Sequence, residues 1–170
     1  MSDPDPPFRV LFVCTGNTCR SPLAEVALRR ALGKIAGRVK VTSAGVAATH
    51  GAPASGLSRA VALKHGLDLE RHVSRRLDAA AMAEVDLVLL MDPADRARVE
   101  ALAGDRGVEI FALADFGLSQ PTGAAIPDPF GASLAVYEDT LQRIEGHLER
   151  VVPYVEAAVR EREPGARRPS

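Results

Sequence analysis

Between an apolar run, Val10–Val13, and a helical pattern beginning near Pro22 lies the octapeptide Cys14-Thr15-Gly16-Asn17-Thr18-Cys19-Arg20-Ser21. A strand, a short polar loop and a helix N-terminus together form an anion site. The loop amides point inward, and the helix dipole adds partial positive charge. A cysteine at the start of such a loop sits in a field that favours its thiolate. An arginine at the end can fork two phosphate oxygens at once. The chemistry these residues describe is a phosphate group, gripped by Thr15–Ser21, above the nucleophilic sulfur of Cys14.

A second constellation lies far along the chain, in Ile126-Pro127-Asp128-Pro129-Phe130-Gly131. Pro129 pushes Asp128 toward an extended backbone. An acid on a stiff turn suits proton transfer to a leaving group. An Asp beside prolines is also a common turn former. Its pairing with a cysteine–arginine loop makes the general-acid reading the better one.

These residues need elements to bring them together. The spacing predicts strands over Phe8–Val13, Val39–Val46, Asp86–Met91 and Val108–Leu113. Helices are predicted over Ser21–Ala36, Pro53–His65, Leu77–Ala83 and Pro93–Ala103, and from about Ser133 onward. Pro153 falls inside the last helical stripe and predicts a kink or break there. Tyr137 and Tyr154 lie on or beside that stripe and read as packing residues. Alternating strands and helices imply an α/β fold. It is a single-domain, doubly wound, four-stranded parallel sheet with helices on both faces and the phosphate-binding loop after strand 1. In such sheets ligands bind at the carboxyl ends of the strands, where the Cys14 loop lies. The long connection from Ala114 to Gly131 leaves the same edge, and long loops in compact domains are usually functional. The domain is expected over residues 8–160, with 1–7 and 161–170 as flexible tails.

Composition narrows the partners. A net charge of −1 gives no strong field toward nucleic acid or anionic lipid. No apolar run approaches membrane-spanning length, and the first residues lack a signal-peptide pattern. Two cysteines five residues apart form neither a disulfide scaffold nor paired metal-ligand clusters. The expectation is a cytoplasmic monomer with no metal, no cofactor, no nucleic-acid partner and no membrane partner. Cys14 and Cys19 flank one tight loop, so peroxide is expected to inactivate the chain reversibly by joining them.

On the Cys14–Ser21 loop and Asp128-Pro129, the chain resembles the low-molecular-weight protein tyrosine phosphatases over nearly all of residues 8–160. The resemblance implies Cys14 as nucleophile, Arg20 as phosphate clamp and Asp128 as general acid. It implies that the Ser21 hydroxyl donates to the thiolate, and that Asn17, Ser43 and His72 hold the loop in shape. Phosphorylated proteins would be the substrates and free phosphate the product. Thr18 and Asp128-Pro129-Phe130-Gly131 are similar to the protein-arginine phosphatase branch. That makes Thr18 and Phe130 the specificity residues and phosphoarginine the expected substrate, with phosphotyrosine as the alternative. More remote readings are a thiol-coupled arsenate reductase, a phosphoryl carrier and a non-catalytic phosphoresidue reader.

Overall fold

The computed structural model describes residues 5–163. Residues 1–4 and 164–170, within the expected tails, lie outside the described residues. Four parallel strands run in the order β2-β1-β3-β4: β1 Phe8–Cys14, β2 Val39–Gly45, β3 Leu87–Leu90 and β4 Glu109–Ala112. Register is continuous, with Phe8 opposite Val39 through Cys14 opposite Gly45, and Val10 opposite Leu87. α1 spans Arg20–Leu32, α2 Gly56–Lys64, α3 Arg96–Ala103 and α4 Leu134–Glu161.

Strand periodicity splits the core in two. Phe8, Val10 and Phe12 point to one face, with Leu23 and Leu28 of α1 and Leu141, Ile144 and Leu148 of α4. Leu11 and Val13 point to the other, with Val99 of α3 and Leu77 and Met82 of the preceding loop. β3 is buried on both faces, which explains why Leu87–Leu90 reads as unbroken apolar sequence.

Four expectations are corrected. No helix forms over 77–83; the segment is a chain of turns. Seven residues are too few to recover the cost of helix nucleation, and the Asp78 carboxylate captures the Ala81 N–H (2.8 Å) in a local turn instead. α1 stops at Leu32 because Gly33 takes a left-handed φ of 52°; a 3₁₀ stretch, Gly33–Arg38, completes the connection. α2 begins at Gly56, where the Ser55 hydroxyl accepts from the Ser58 N–H (3.2 Å), three residues after Pro53. Pro153 does not break α4, which continues through it to Glu161. Its ring faces outward, while Leu148, Val151, Val155 and Val159 stay buried on either side of it. That burial outweighs the roughly 3 kcal/mol a proline costs a helix interior.

Candidate active site

The loop 15–19 closes the carboxyl end of β1 between β2 and β3, the point where strand order reverses. Its shape depends on Asn17, which is fully buried and adopts a left-handed φ of 56°. Every polar group of Asn17 has a partner. Its N–H donates to Cys14 Sγ (3.2 Å), and Nδ2 donates to Ser21 Oγ and Ser43 Oγ (both 2.9 Å). Its Oδ1 accepts from the Arg75 N–H (2.9 Å), and its carbonyl accepts from His72 Nε2 (2.7 Å). A carbonyl can only accept, so His72 carries its proton on Nε2. The strained backbone is therefore fixed from five directions. Asn17, Ser43 and His72 are thus joined by direct hydrogen bonds.

Three residues of this scaffold were not singled out from sequence. Glu25, one turn into α1, accepts from the Ser43 hydroxyl (2.5 Å) and is bridged by Arg29. Arg75 also donates through Nε to the Ser43 carbonyl (2.9 Å). Gly45 ends β2 where the loop crosses it: a Cβ there would lie 2.5 Å from the Thr15 carbonyl oxygen and 2.9 Å from the Asn17 nitrogen. A lone glycine closing a β-branched strand was the available signal.

Cys14 is buried at the base of the loop, with the Ser21 hydroxyl 2.8 Å from its sulfur. Burial pushes the Cys14 thiol above its ordinary value, opposed by hydrogen bonds from Ser21, by the Arg20 charge and by the Asn17 amide. The loop field is expected to favour the thiolate; burial acts against that field. Here the charged sulfur depends on specific donors, Ser21 foremost. Asn17 and Ser21 turn their side chains beneath the loop and do not form the cavity wall.

The cavity above the sulfur encloses about 240 Å³. Its floor and sides come from Cys14, Thr15, Gly16, Thr18, Cys19 and Arg20; Asp128 and Phe130 form the rim. Arg20 is buried and fixed: Nη1 donates to the Ile126 carbonyl (2.9 Å) and Nη2 to Thr15 Oγ1 (3.2 Å). Nη2 also lies 3.4 Å from the Asp128 carboxylate. Arg20 Nε is a buried donor with no protein partner among the described residues. An oxygen of a bound anion would satisfy it. Phe130 is 73% exposed, a free-standing ring at the mouth. Cys19 and Cys14 are free thiols, and Cys19 Sγ is 3.4 Å from both the Ser55 and Tyr137 hydroxyls. Tyr137 therefore does more than pack: it joins α4 to the loop.

Among the described residues, no group of three His, Cys, Asp or Glu side chains could hold a metal ion, and no helix is long and apolar enough to cross a membrane.

The parallel sheet, the Cys14–Arg20 loop and the facing acid define a cysteine-dependent protein phosphatase. The chain belongs to the low molecular weight phosphotyrosine protein phosphatase family, whose pattern it matches over residues 9–163. It is 40% identical over 144 residues to the low molecular weight protein-tyrosine-phosphatase Etp of Escherichia coli, covering 83% of this chain and 87% of that one. It is 32% identical over 144 residues to a protein-arginine-phosphatase of Bacillus subtilis, covering 84% of this chain and 93% of that one. An arginine phosphatase structure from Geobacillus stearothermophilus superposes with a TM-score of 0.80 at 30% identity, covering 93% of this chain and 99% of that one.

Proposed function

We propose that this phosphatase acts on phosphoarginine side chains of proteins through a cysteinyl-phosphate. The observation that carries the chemistry is the shared cavity: Cys14, Arg20 and Asp128 line one small space, with the Asp128 carboxylate 3.4 Å from Arg20 Nη2. In the first step the Cys14 thiolate attacks phosphorus, the S–P bond forms, and the P–N bond breaks. Asp128, as the acid, gives its proton to the departing nitrogen. In the second step the Asp128 carboxylate takes a proton from water, whose oxygen attacks the phosphocysteine. The S–P bond breaks, releasing phosphate and restoring the thiolate. Arg20 and the loop amides hold the equatorial oxygens throughout, the main source of transition-state stabilisation.

The arginine preference rests on the rim. Thr18 presents a small, half-buried hydroxyl-bearing wall where a large aliphatic residue would grip an aromatic ring. The protonated Asp128 carboxyl can hydrogen-bond a guanidinium nitrogen, and the exposed face of Phe130 can stack on the guanidinium plane. Phosphotyrosine is the second reading, favoured by the 40% identity to Etp. Side-by-side kcat/KM values on phosphoarginine and phosphotyrosine peptides discriminate the two, with phosphoarginine expected to be faster. Thr18→Ile should shift the ratio toward phosphotyrosine by roughly tenfold, the scale on which apolar pocket changes discriminate substrates. A wild-type enzyme faster on phosphotyrosine overturns the arginine reading. A single stoichiometric transfer, without turnover, would instead mark a phosphoryl carrier.

A further inference from the structure

The segment linking β4 to Asp128 is long, exposed and almost unsupported. Residues 117–125 are all exposed. Among the described residues, one group outside the stretch 119–125 hydrogen-bonds to it: the carboxylate of Asp115. Its Oδ1 accepts from the Thr122 N–H (2.7 Å) and the Thr122 hydroxyl (2.6 Å), and its Oδ2 accepts from the Gly123 N–H (2.8 Å). Thr122 Oγ1 in turn accepts from the Ala124 N–H (3.1 Å). One carboxylate thus closes residues 115–123 into a ring with both of its oxygens committed.

The ring has a fixed base and a short lever. At the base, Arg150 of α4 donates to the carbonyls of Ala114 (3.0 Å) and Phe116 (2.6 Å). From the ring, only Ala124 and Ala125 intervene before Ile126, which is buried. Ile126 takes its N–H to the Met91 carbonyl (2.8 Å) and offers its own carbonyl to Arg20. Asp128 follows two residues later. Gly123 holds a left-handed φ of 71°, the conformation the ring needs there. The three hydrogen bonds also hold the Asp115 carboxyl below the usual carboxylate range, with His147 adding to the effect, so the clip stays closed in mild acid.

We propose that Asp115 is a positioning residue for the reaction: its carboxylate clips the acid loop and thereby sets where Asp128 stands over the Cys14–Arg20 cavity. The proposal rests on Asp128 being the general acid. Proton donation matters most for a poor leaving group, which gives a readout that a merely destabilised protein would not produce. The comparison is kcat/KM for phenyl phosphate and for p-nitrophenyl phosphate in wild type, Asp115→Ala, Asp128→Ala and the double variant. kcat/KM covers the steps through P–O cleavage, in which the acid acts. Asp115→Ala is expected to lose roughly three- to tenfold on phenyl phosphate, the scale of one or two net hydrogen bonds. Its loss on p-nitrophenyl phosphate should be several-fold smaller. In the Asp128→Ala background, Asp115→Ala should have no further selective effect, because it acts through that carboxyl. Thr122→Val, which removes one of the three donors, should show the same selectivity at smaller size and covers the case in which Asp115→Ala folds poorly. Equal losses on the two esters, or additive losses in the double variant, overturn the proposal while leaving the acid in place. Equal losses on both esters for Asp128→Ala itself overturn the acid assignment, and this proposal with it.

Discussion

The Ser21 hydroxyl, 2.8 Å from the Cys14 sulfur, carries more of the nucleophile's chemistry than its small size suggests. Burial alone penalises a thiolate, and Ser21 is the foremost donor acting against that penalty. Its oxygen accepts from Asn17 Nδ2, which leaves its own proton free to point at sulfur. Removing the hydroxyl should therefore raise the Cys14 thiol further and lower the thiolate fraction at any given pH. We expect the pH profile of Cys14 alkylation by iodoacetamide in Ser21→Ala to move to higher pH, with the acid limb of kcat/KM following it. An unmoved or acid-shifted profile would show that Ser21 does not stabilise the thiolate. The same upward shift sets a stability window. A raised thiol contributes stability below the unfolded cysteine value, and that contribution is lost as pH rises through the folded value.

At the scale of elements, the site depends on close passage of the loop over the end of β2. Gly45 provides the room: the Thr15 carbonyl and Asn17 nitrogen stand where a side chain would begin, and both are backbone atoms that cannot swing away. Gly45→Ala is expected to destabilise by about 1–3 kcal/mol, the usual cost of overpacking. It should also depress kcat/KM well beyond what the stability loss explains, because the displaced atoms belong to the loop itself. Thermal melts and p-nitrophenyl phosphate kinetics check this; a variant with wild-type kinetics would mean the loop does not depend on that passage. The same scale shows why local signals misled. The alanines at 79–81 favour a helix, yet the Asp78 turn and burial of Ala81 and Met82 against the sheet decide otherwise. At Pro153 the stripe of buried residues on α4 overrides the ring.

Across the whole molecule, the sheet separates two apolar layers that share its strands. Leu89 belongs to one and Leu90 to the other, both fully buried and adjacent in β3. Because one strand serves both layers, neither can melt alone without exposing the other. Leu89→Ala and Leu90→Ala should each cost about 2–5 kcal/mol and shift one shared unfolding transition. Two separable transitions in either variant would show that the layers unfold independently. The ends of the described chain are joined as well. Arg162 donates to Asp86 (2.7 Å) and to the Pro7 carbonyl (3.3 Å), and its guanidinium lies over the Phe8 ring.

The sequence by itself determined the sheet, its parallel sense and the loop that carries the chemistry. Those follow from local facts: apolar runs of strand length, a cysteine and an arginine spaced to bracket one phosphate, and an aspartate stiffened between prolines. It also brought Asn17, Ser43 and His72 into view by resemblance, and the structure joins them in one network. Only the tertiary structure decided what lies between distant segments. Glu25 reaches Ser43 across 18 positions and Arg75 reaches Asn17 across 58, while Asp115 closes a loop whose partners carry no periodic pattern. The demand for glycine at position 45 comes from a backbone 30 residues away in sequence. The direction in which the Cys14 thiol shifts was also beyond sequence. A motif names the donors around a sulfur, but how deeply that sulfur is buried depends on how every other element packs over it.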